Sequence, residues 1–329
     1  MFAYRRTLHN AEYVTYAHTP LFYLSNLLRF SLFIGLSAIT HKMATPPPER
    51  SKLQDHIDAV LKVPMPTGPG ITLLAAALRK WFKPRFVGLE KLPSGPALFV
   101  ANHSLLALDA FTFHLLMHYD YRRFLRPLAD RTLFSNPHYA QAVIPLGAVD
   151  GQPEVVRALM DAGKDILLYP GGTREAIKPP EQRYQVDWGQ RYGFIRLAAE
   201  KGYTIVPFAS VGPDEYYDQY LTSSELQTSQ LFYLLKQFGL LPSDVREDLI
   251  PPLPAGMLGS ALPKPKTTYY GFCPPVDLSQ HKEKSLTLRQ QQRIRQGVED
   301  AIDIEIKELL LLRERNRHND GLLRRLLSV

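Results

Sequence analysis

Two residues in the stretch 96–111, PALFVANHSLLALDAF, have the types needed for proton transfer: His103 and Asp109. An imidazole with a carboxylate beside it can draw a proton from a hydroxyl. The carboxylate fixes the ring's tautomer and stabilises the cation that forms. The same pair also fits a plainer reading, a surface histidine and an ordinary helix-start aspartate. A second stretch, 167–176, LLYPGGTREA, sets Gly171 and Gly172 before Thr173, Arg174 and Glu175. Paired glycines let the backbone approach a ligand closely, and an arginine fork suits phosphate or carboxylate.

Each of these stretches is an apolar run that breaks into a polar turn, as a buried strand does on leaving a sheet. Residues 97–101 read as a strand that delivers Asn102 and His103, with a helix over 107–118. Residues 165–169 read as the strand feeding the double-glycine turn, and 204–212, TIVPFASVG, as a third strand ending in a turn. Polar residues at strand ends are where open α/β sheets place their sites. The spacing also imposes a condition. Positions six apart do not share a helix face, so His103 and Asp109 can meet only if the segment just after His103 is a non-helical turn.

These segments, in this order, resemble the glycerolipid acyltransferase superfamily, which includes lysophosphatidate acyltransferases. The matching residues are Asn102, His103 and Asp109, then Pro170, Gly171, Gly172, Thr173 and Arg174, then Val206 and Pro207. Two departures, five residues between His103 and Asp109 and Gly171 where the common pattern has glutamate, resemble the diacylglycerol- and phytyl-ester-type branch. So do the run 183–198, RYQVDWGQRYGFIRLA, and its continuation to Glu215. The resemblance spans roughly 86–215, and more weakly 263–278. It implies an α/β fold with a mixed, largely parallel central sheet flanked by helices; an N-terminal apolar helical segment and a C-terminal amphipathic helix are read from the residues outside it.

What the resemblance implies chemically is transfer of a fatty acyl group from a thioester to a hydroxyl of a glycerolipid or other lipophilic alcohol. His103 would act as base with Asp109 holding its ring. Asn102, Gly171, Gly172, Thr173, Arg174 and Glu175 would bind substrate. Backbone N–H groups of the Gly171–Gly172 turn could face the oxyanion, Arg174 a phosphate of either partner, and Glu175 could tie down Arg174 or cap a helix. Ser104 adjoins His103, yet no G-x-S-x-G elbow is present, so a covalent serine is disfavoured. In the wider family an arginine near the end of the block at 142–149 is associated with acceptor phosphate. Here Asp150–Gly151 follows instead, with no arginine before Arg157. The alternatives left open are a lysophosphatidate-type acyltransferase, a lipid hydrolase and a non-catalytic lipid-binding protein.

The chain has 329 residues, enough for one large core and a smaller accessory segment. With 45% hydrophobic and 22% charged residues it is neither disordered nor polytopic in a membrane. A net charge of +7 suits an anionic membrane surface or an acyl-coenzyme A or acyl-carrier-protein donor. No nucleic-acid-binding signature accompanies it. The single cysteine, Cys273, excludes an internal disulfide framework. His114 and His118 lie four apart on a helix, but no third ligand has metal spacing, so neither metal nor cofactor is expected.

Residues 1–70 read as a membrane-associating segment and proline-rich linker, and 71–329 as the acyltransferase domain. Residues 20–40 are apolar at nearly bilayer length, but Arg29 mid-span would cost roughly 2.5–3.5 kcal/mol on insertion scales, which favours a helix lying in the interface. The expected placement is monotopic or peripheral, with the active site facing the cytoplasm. Further on, 142–149 reads as a buried strand, 178–190 as a polar loop over the site, and 215–239 as a lid helix or core packing. Residues 267–272 read as a strand at the sheet edge. Residues 285–317 form a long amphipathic helix with Ile294, Val298, Ile302 and Leu309 on one stripe, followed by the basic apolar tail LLRRLL.

Overall fold

The computed structural model describes residues 50–131, 134, 140, 141, 143–237 and 252–328. The apolar segment at 20–40, and with it most of the expected membrane-associating region, lies outside these residues.

Two helices open the described chain, α1 (Arg50–Lys62) and α2 (Pro69–Phe82). α2 starts with Pro69, whose missing N–H is harmless in the first turn, and ends where Lys83 turns left-handed. Strands β1 (Arg85–Val87) and β2 (Ala97–Ala101) follow, then α3 (Leu108–Tyr121), β3 (Arg126–Ala129) and the two-residue β4 (Val149–Asp150). α4 (Pro153–Asp161), β5 (Ile166–Leu168), the single-turn α5 (Gly172–Ala176), α6 (Gly193–Lys201) and β6 (Thr204–Val211) complete the central unit. Beyond it come β7 (Asp218–Leu221), α7 (Ser223–Thr228), α8 (Gln230–Gln237), β8 (Leu253–Ala255), β9 (Tyr269–Phe272), α9 (Leu288–Arg315) and α10 (Leu322–Leu327).

The main sheet has seven strands in the order β1-β9-β6-β2-β5-β3-β4, and β7 and β8 form a separate antiparallel pair. Every pairing in the main sheet is parallel except β6 with β9. This is the mixed, largely parallel sheet flanked by helices that the sequence implied. β2 is buried along its whole length, and its side chains alternate between two helical layers. Leu98 and Val100 enter the core formed with α4, α6 and α9, while Ala97, Phe99 and Ala101 enter the core formed with Phe113 and Met117 of α3. The α9 stripe is seated as its periodicity required, with Val298, Ile302 and Leu309 buried.

The register fixes where function can sit. β5, β2 and β6 are neighbours and run the same way, so the turns after them open at one rim of the sheet. Those turns carry Asn102 and His103, the double glycine, and Gly212 to Asp214. Three stretches separated by up to a hundred residues thus become adjacent.

Three expectations are corrected. Residues 144–146 form a short 3-10 turn, not a strand, with Pro145 in its first positions and Gly147 closing it at φ 93°. Proline offers no ladder donor and glycine takes the left-handed turn, so only Val149–Asp150 pairs with β3. β9 is an interior strand between β6 and β1, not an edge, and β1 lies outside it. The 215–239 stretch is not one lid helix: Tyr216 and Tyr217 are buried, and residues 218–237 divide into β7, α7 and α8. The 178–190 loop sinks Trp188 into the core, at 1% exposure.

Candidate active site

After β2 the chain does not enter α3 directly. Ser104 is extended, and Leu106 and Ala107 both adopt left-handed backbone angles, φ 63° and 51°. These are uncommon for residues with a Cβ and typically cost of order 1 kcal/mol each. They break the helical phase, so that α3 starts only at Leu108 and Asp109 turns back toward His103. The His103 Nδ1 lies 2.9 Å from Asp109 Oδ2, and the Ser104 backbone N–H donates to the same oxygen at 3.1 Å. The condition set by the six-residue spacing is met by this kinked entry. Asp109 is fully buried and His103 8% exposed. With Nδ1–H donating to the carboxylate, Nε2 is the nitrogen left to accept a proton.

Tyr169, the residue before the glycine turn, stacks on the imidazole, with ring centroids 4.3 Å apart and planes inclined by 21°. Asn102 is bonded at both ends of its carboxamide to Ser210: Nδ2 donates to the Ser210 carbonyl at 3.0 Å and Oδ1 accepts from its N–H at 2.8 Å. The side chain thereby extends the β2–β6 ladder by one step and fixes the exit direction of β2, rather than pointing into open space.

The double-glycine turn is gripped from two sides. The Gly172 N–H donates to the Tyr169 carbonyl. Arg191 donates to the Pro170 carbonyl at 2.7 Å and lies where a Cβ on Gly172 would be, 2.8 Å away. On the other side, a Cβ on Gly171 would stand 2.1 Å from Glu175 Oε2. Glycine at 171 is therefore a matter of space, since its φ of −66° is ordinary.

The two charged residues after the turn part company. Arg174 is exposed and pairs with Asp187 at 3.2 Å. Glu175 is fully buried, with neither carboxyl oxygen in full hydrogen-bond geometry. Burial holds its carboxyl well above the usual carboxylate range against the pull of Lys178, while Asp214 pushes it further up. Glu175 therefore does not tie down Arg174. Thr173 is half-buried beside them.

Beneath this turn Lys178 is buried, its ammonium 3.1 Å from Asp214 and 3.2 Å from the His103 carbonyl. Sequence reasoning did not single out Tyr169, Lys178, Arg191 or Asp214. The only sign of them was their position in or just after the motifs. His114 and His118 are buried α3 residues that meet the backbone carbonyls of Leu146 and Pro66, respectively. Among the described residues no group of three or more His, Cys, Asp or Glu is arranged to hold a metal.

A buried His–Asp pair at the rim of a largely parallel sheet, beside a glycine turn, has the groups needed to draw a proton from a hydroxyl. Residues 83–211 match the family model described as Acyltransferase. It is 28% identical over 251 residues to phytyl ester synthase 1, chloroplastic, of Arabidopsis thaliana, covering 71% of this chain and 35% of that protein. It is 31% identical over 121 residues to the DGAT1/2-independent enzyme synthesizing storage lipids of Homo sapiens, covering 36% of this chain and 37% of that one. The chain thus spans about a third of the length of these curated relatives. A solved structure, the 1-acyl-sn-glycerophosphate acyltransferase of Thermotoga maritima, aligns over 86% of this chain and 94% of its own, with a TM-score of 0.43 and 14% identity.

Proposed function

We propose that this protein transfers a fatty acyl group from a thioester, acyl-coenzyme A or acyl-carrier protein, to the hydroxyl of a glycerolipid or other lipophilic alcohol at a membrane surface. The observation that carries the reading is the buried 2.9 Å contact between His103 and Asp109, next to the double-glycine turn of an acyltransferase domain.

The alcohol oxygen attacks the thioester carbonyl carbon as His103 Nε2 takes its proton. The new C–O bond forms, the C–S bond breaks, and the proton passes from the imidazolium to the departing thiolate. Asp109, itself oriented by the Ser104 N–H, holds the tautomer and stabilises the transient cation. The Gly171 N–H of the turn would donate to the oxyanion.

A neutral acceptor is favoured over a phosphorylated one. Arg174 is turned to solvent and paired with Asp187, and Arg191 is anchored on Pro170. The relatives' names, a phytyl ester synthase and an enzyme synthesizing storage lipids, point the same way. Membrane contact is supported by α10, where Leu322, Leu323 and Leu326 are exposed beside the basic Arg325. No helix among the described residues is long and apolar enough to cross a membrane. A monotopic or peripheral placement facing the cytoplasm belongs to the same proposal.

The test is incubation of the purified protein with a labelled long-chain acyl-coenzyme A and a panel of neutral and phosphorylated alcohols. Transfer to a neutral alcohol should fall by about 10²–10⁴-fold in His103→Ala. Transfer unaffected by that substitution rejects His103 as the base, and equal use of phosphorylated acceptors rejects the neutral preference.

A further inference from the structure

Lys178 lies outside the residues that contact the reaction, yet among the described residues it is the one cation that reaches the main chain of His103. Its side chain is 7% exposed and that of its partner Asp214 is 3% exposed. The ammonium has three donors, and each finds an acceptor: the His103 carbonyl at 3.2 Å, the Gln185 carbonyl at 3.2 Å and the Asp214 carboxylate at 3.1 Å. Asp214 also accepts the Tyr184 N–H at 2.6 Å. The Lys178 carbonyl in turn accepts from Gln219 at 2.8 Å.

These contacts join four pieces of chain: the β2 exit, the 178–190 loop, the turn after β6, and β7. A buried lysine that served only to neutralise Asp214 would need no bond to the backbone of His103. Breaking a buried pair by removing one partner is strongly destabilising, so a pair held here is tied to geometry and not merely to charge balance.

We infer that Lys178 is a positioning residue for His103: its buried ammonium, anchored by Asp214, fixes the His103 main chain and the 178–190 loop as one unit. The imidazole then meets the reacting hydroxyl only when that loop is seated. This rests on the reading of His103 as the base. A displacement of the order of 1 Å at a catalytic group can cost about 10²-fold in rate, which sets the expected size of the effect.

The experiment uses the full chain with histidine labelled by nitrogen-15. The His103 Nδ1–H resonance is assigned by its loss in His103→Ala, and its exchange with solvent is measured alongside acyl transfer from long-chain acyl-coenzyme A to a long-chain primary alcohol in micelles. Lys178→Met leaves Asp214 unpaired and is tested together with Lys178→Met/Asp214→Asn, which leaves no buried charge alone. In the double variant, folded at the parent's melting temperature within a few degrees, the His103 N–H should exchange at least about tenfold faster and kcat should fall about 10–100-fold. KM for the donor should stay within about threefold, and Lys178→Arg should recover part of kcat. Exchange at the parent's rate, or kcat within about threefold of the parent, overturns the inference. The exchange measurement needs no turnover, so it decides the role of Lys178 even if His103→Ala stays active and the base assignment fails.

Discussion

Tyr169 lies flat against His103, ring centroid to ring centroid 4.3 Å, and so forms one wall of the slot in which the imidazole stands. The other constraint is the Asp109 carboxylate on Nδ1. Stack and hydrogen bond together leave the ring one orientation, with Nε2 outward. Only Pro170 separates the stacking partner from the two glycines, so the imidazole and the double-glycine turn belong to one packed assembly.

Replacing the stacking partner should separate ring positioning from hydroxyl chemistry. The Tyr169 hydroxyl is buried without a hydrogen-bond partner. Tyr169→Phe keeps the stack and removes an unsatisfied group, so the melting temperature should hold or rise. Tyr169→Ala removes a large buried ring and should cost about 3–5 kcal/mol by urea unfolding, with kcat lowered far more than in Tyr169→Phe. Equal activity of the two variants would show that the stack has no part in aligning His103.

Gly171 and Glu175 compete for the same space. Gly171→Ala puts a Cβ 2.1 Å from Glu175 Oε2 and should cost about 1–3 kcal/mol. Trimming the obstacle in Gly171→Ala/Glu175→Ala should leave the pair less destabilised than the sum of the two single changes. A double-mutant cycle by chemical unfolding measures the coupling, and an additive result would mean that the clash is relieved in some other way.

The Asn102–Ser210 clasp predicts a stability effect with a functional consequence. Asn102→Ala removes two buried hydrogen bonds and leaves the Ser210 carbonyl and N–H exposed to loss of their partner. The expected destabilisation is about 1–3 kcal/mol, with kcat reduced because β2 no longer leaves the sheet in a fixed direction. Asn102→Asp keeps an acceptor for the Ser210 N–H but sets a carboxylate oxygen against the Ser210 carbonyl in a buried site, and should destabilise at least as much as the alanine variant.

His114 gives a pH dependence that is separate from catalysis. Burial, chiefly, brings its pKa down from 6.5 to about 3, against the opposing bond to the Leu146 carbonyl; His118 and Arg126 lower it further. The unfolded chain therefore binds a proton that the folded chain refuses between these values. Stability from this group is fully present above pH 6.5 and declines as the pH falls toward 3. At pH 5 the loss should be about 2 kcal/mol relative to pH 7, and His114→Asn should remove that part of the slope. Urea midpoints of the two proteins at pH 7 and pH 5 make the comparison.

The sequence by itself determined the local elements and the chemistry they carry. The strand over 97–101, the helix over 107–118, the α9 stripe and the three motif turns follow from side-chain period, glycine and proline placement and charge type, which act over a few residues. It also stated the condition on the His103–Asp109 spacing, though not that Leu106 and Ala107 would meet it with left-handed backbone angles. Tertiary structure decided everything that depends on a partner distant in sequence. β9 lies inside the sheet because it pairs with β6 and β1 at once, a choice no local pattern encodes. In the one-turn α5, Arg174 faces solvent and Glu175 the core because Gly171 leaves a gap of the right size on one side only. Lys178 reads in sequence as the start of a polar loop, and it becomes buried because Asp214 and two main-chain carbonyls, supplied by other segments, replace the water an ammonium would otherwise keep.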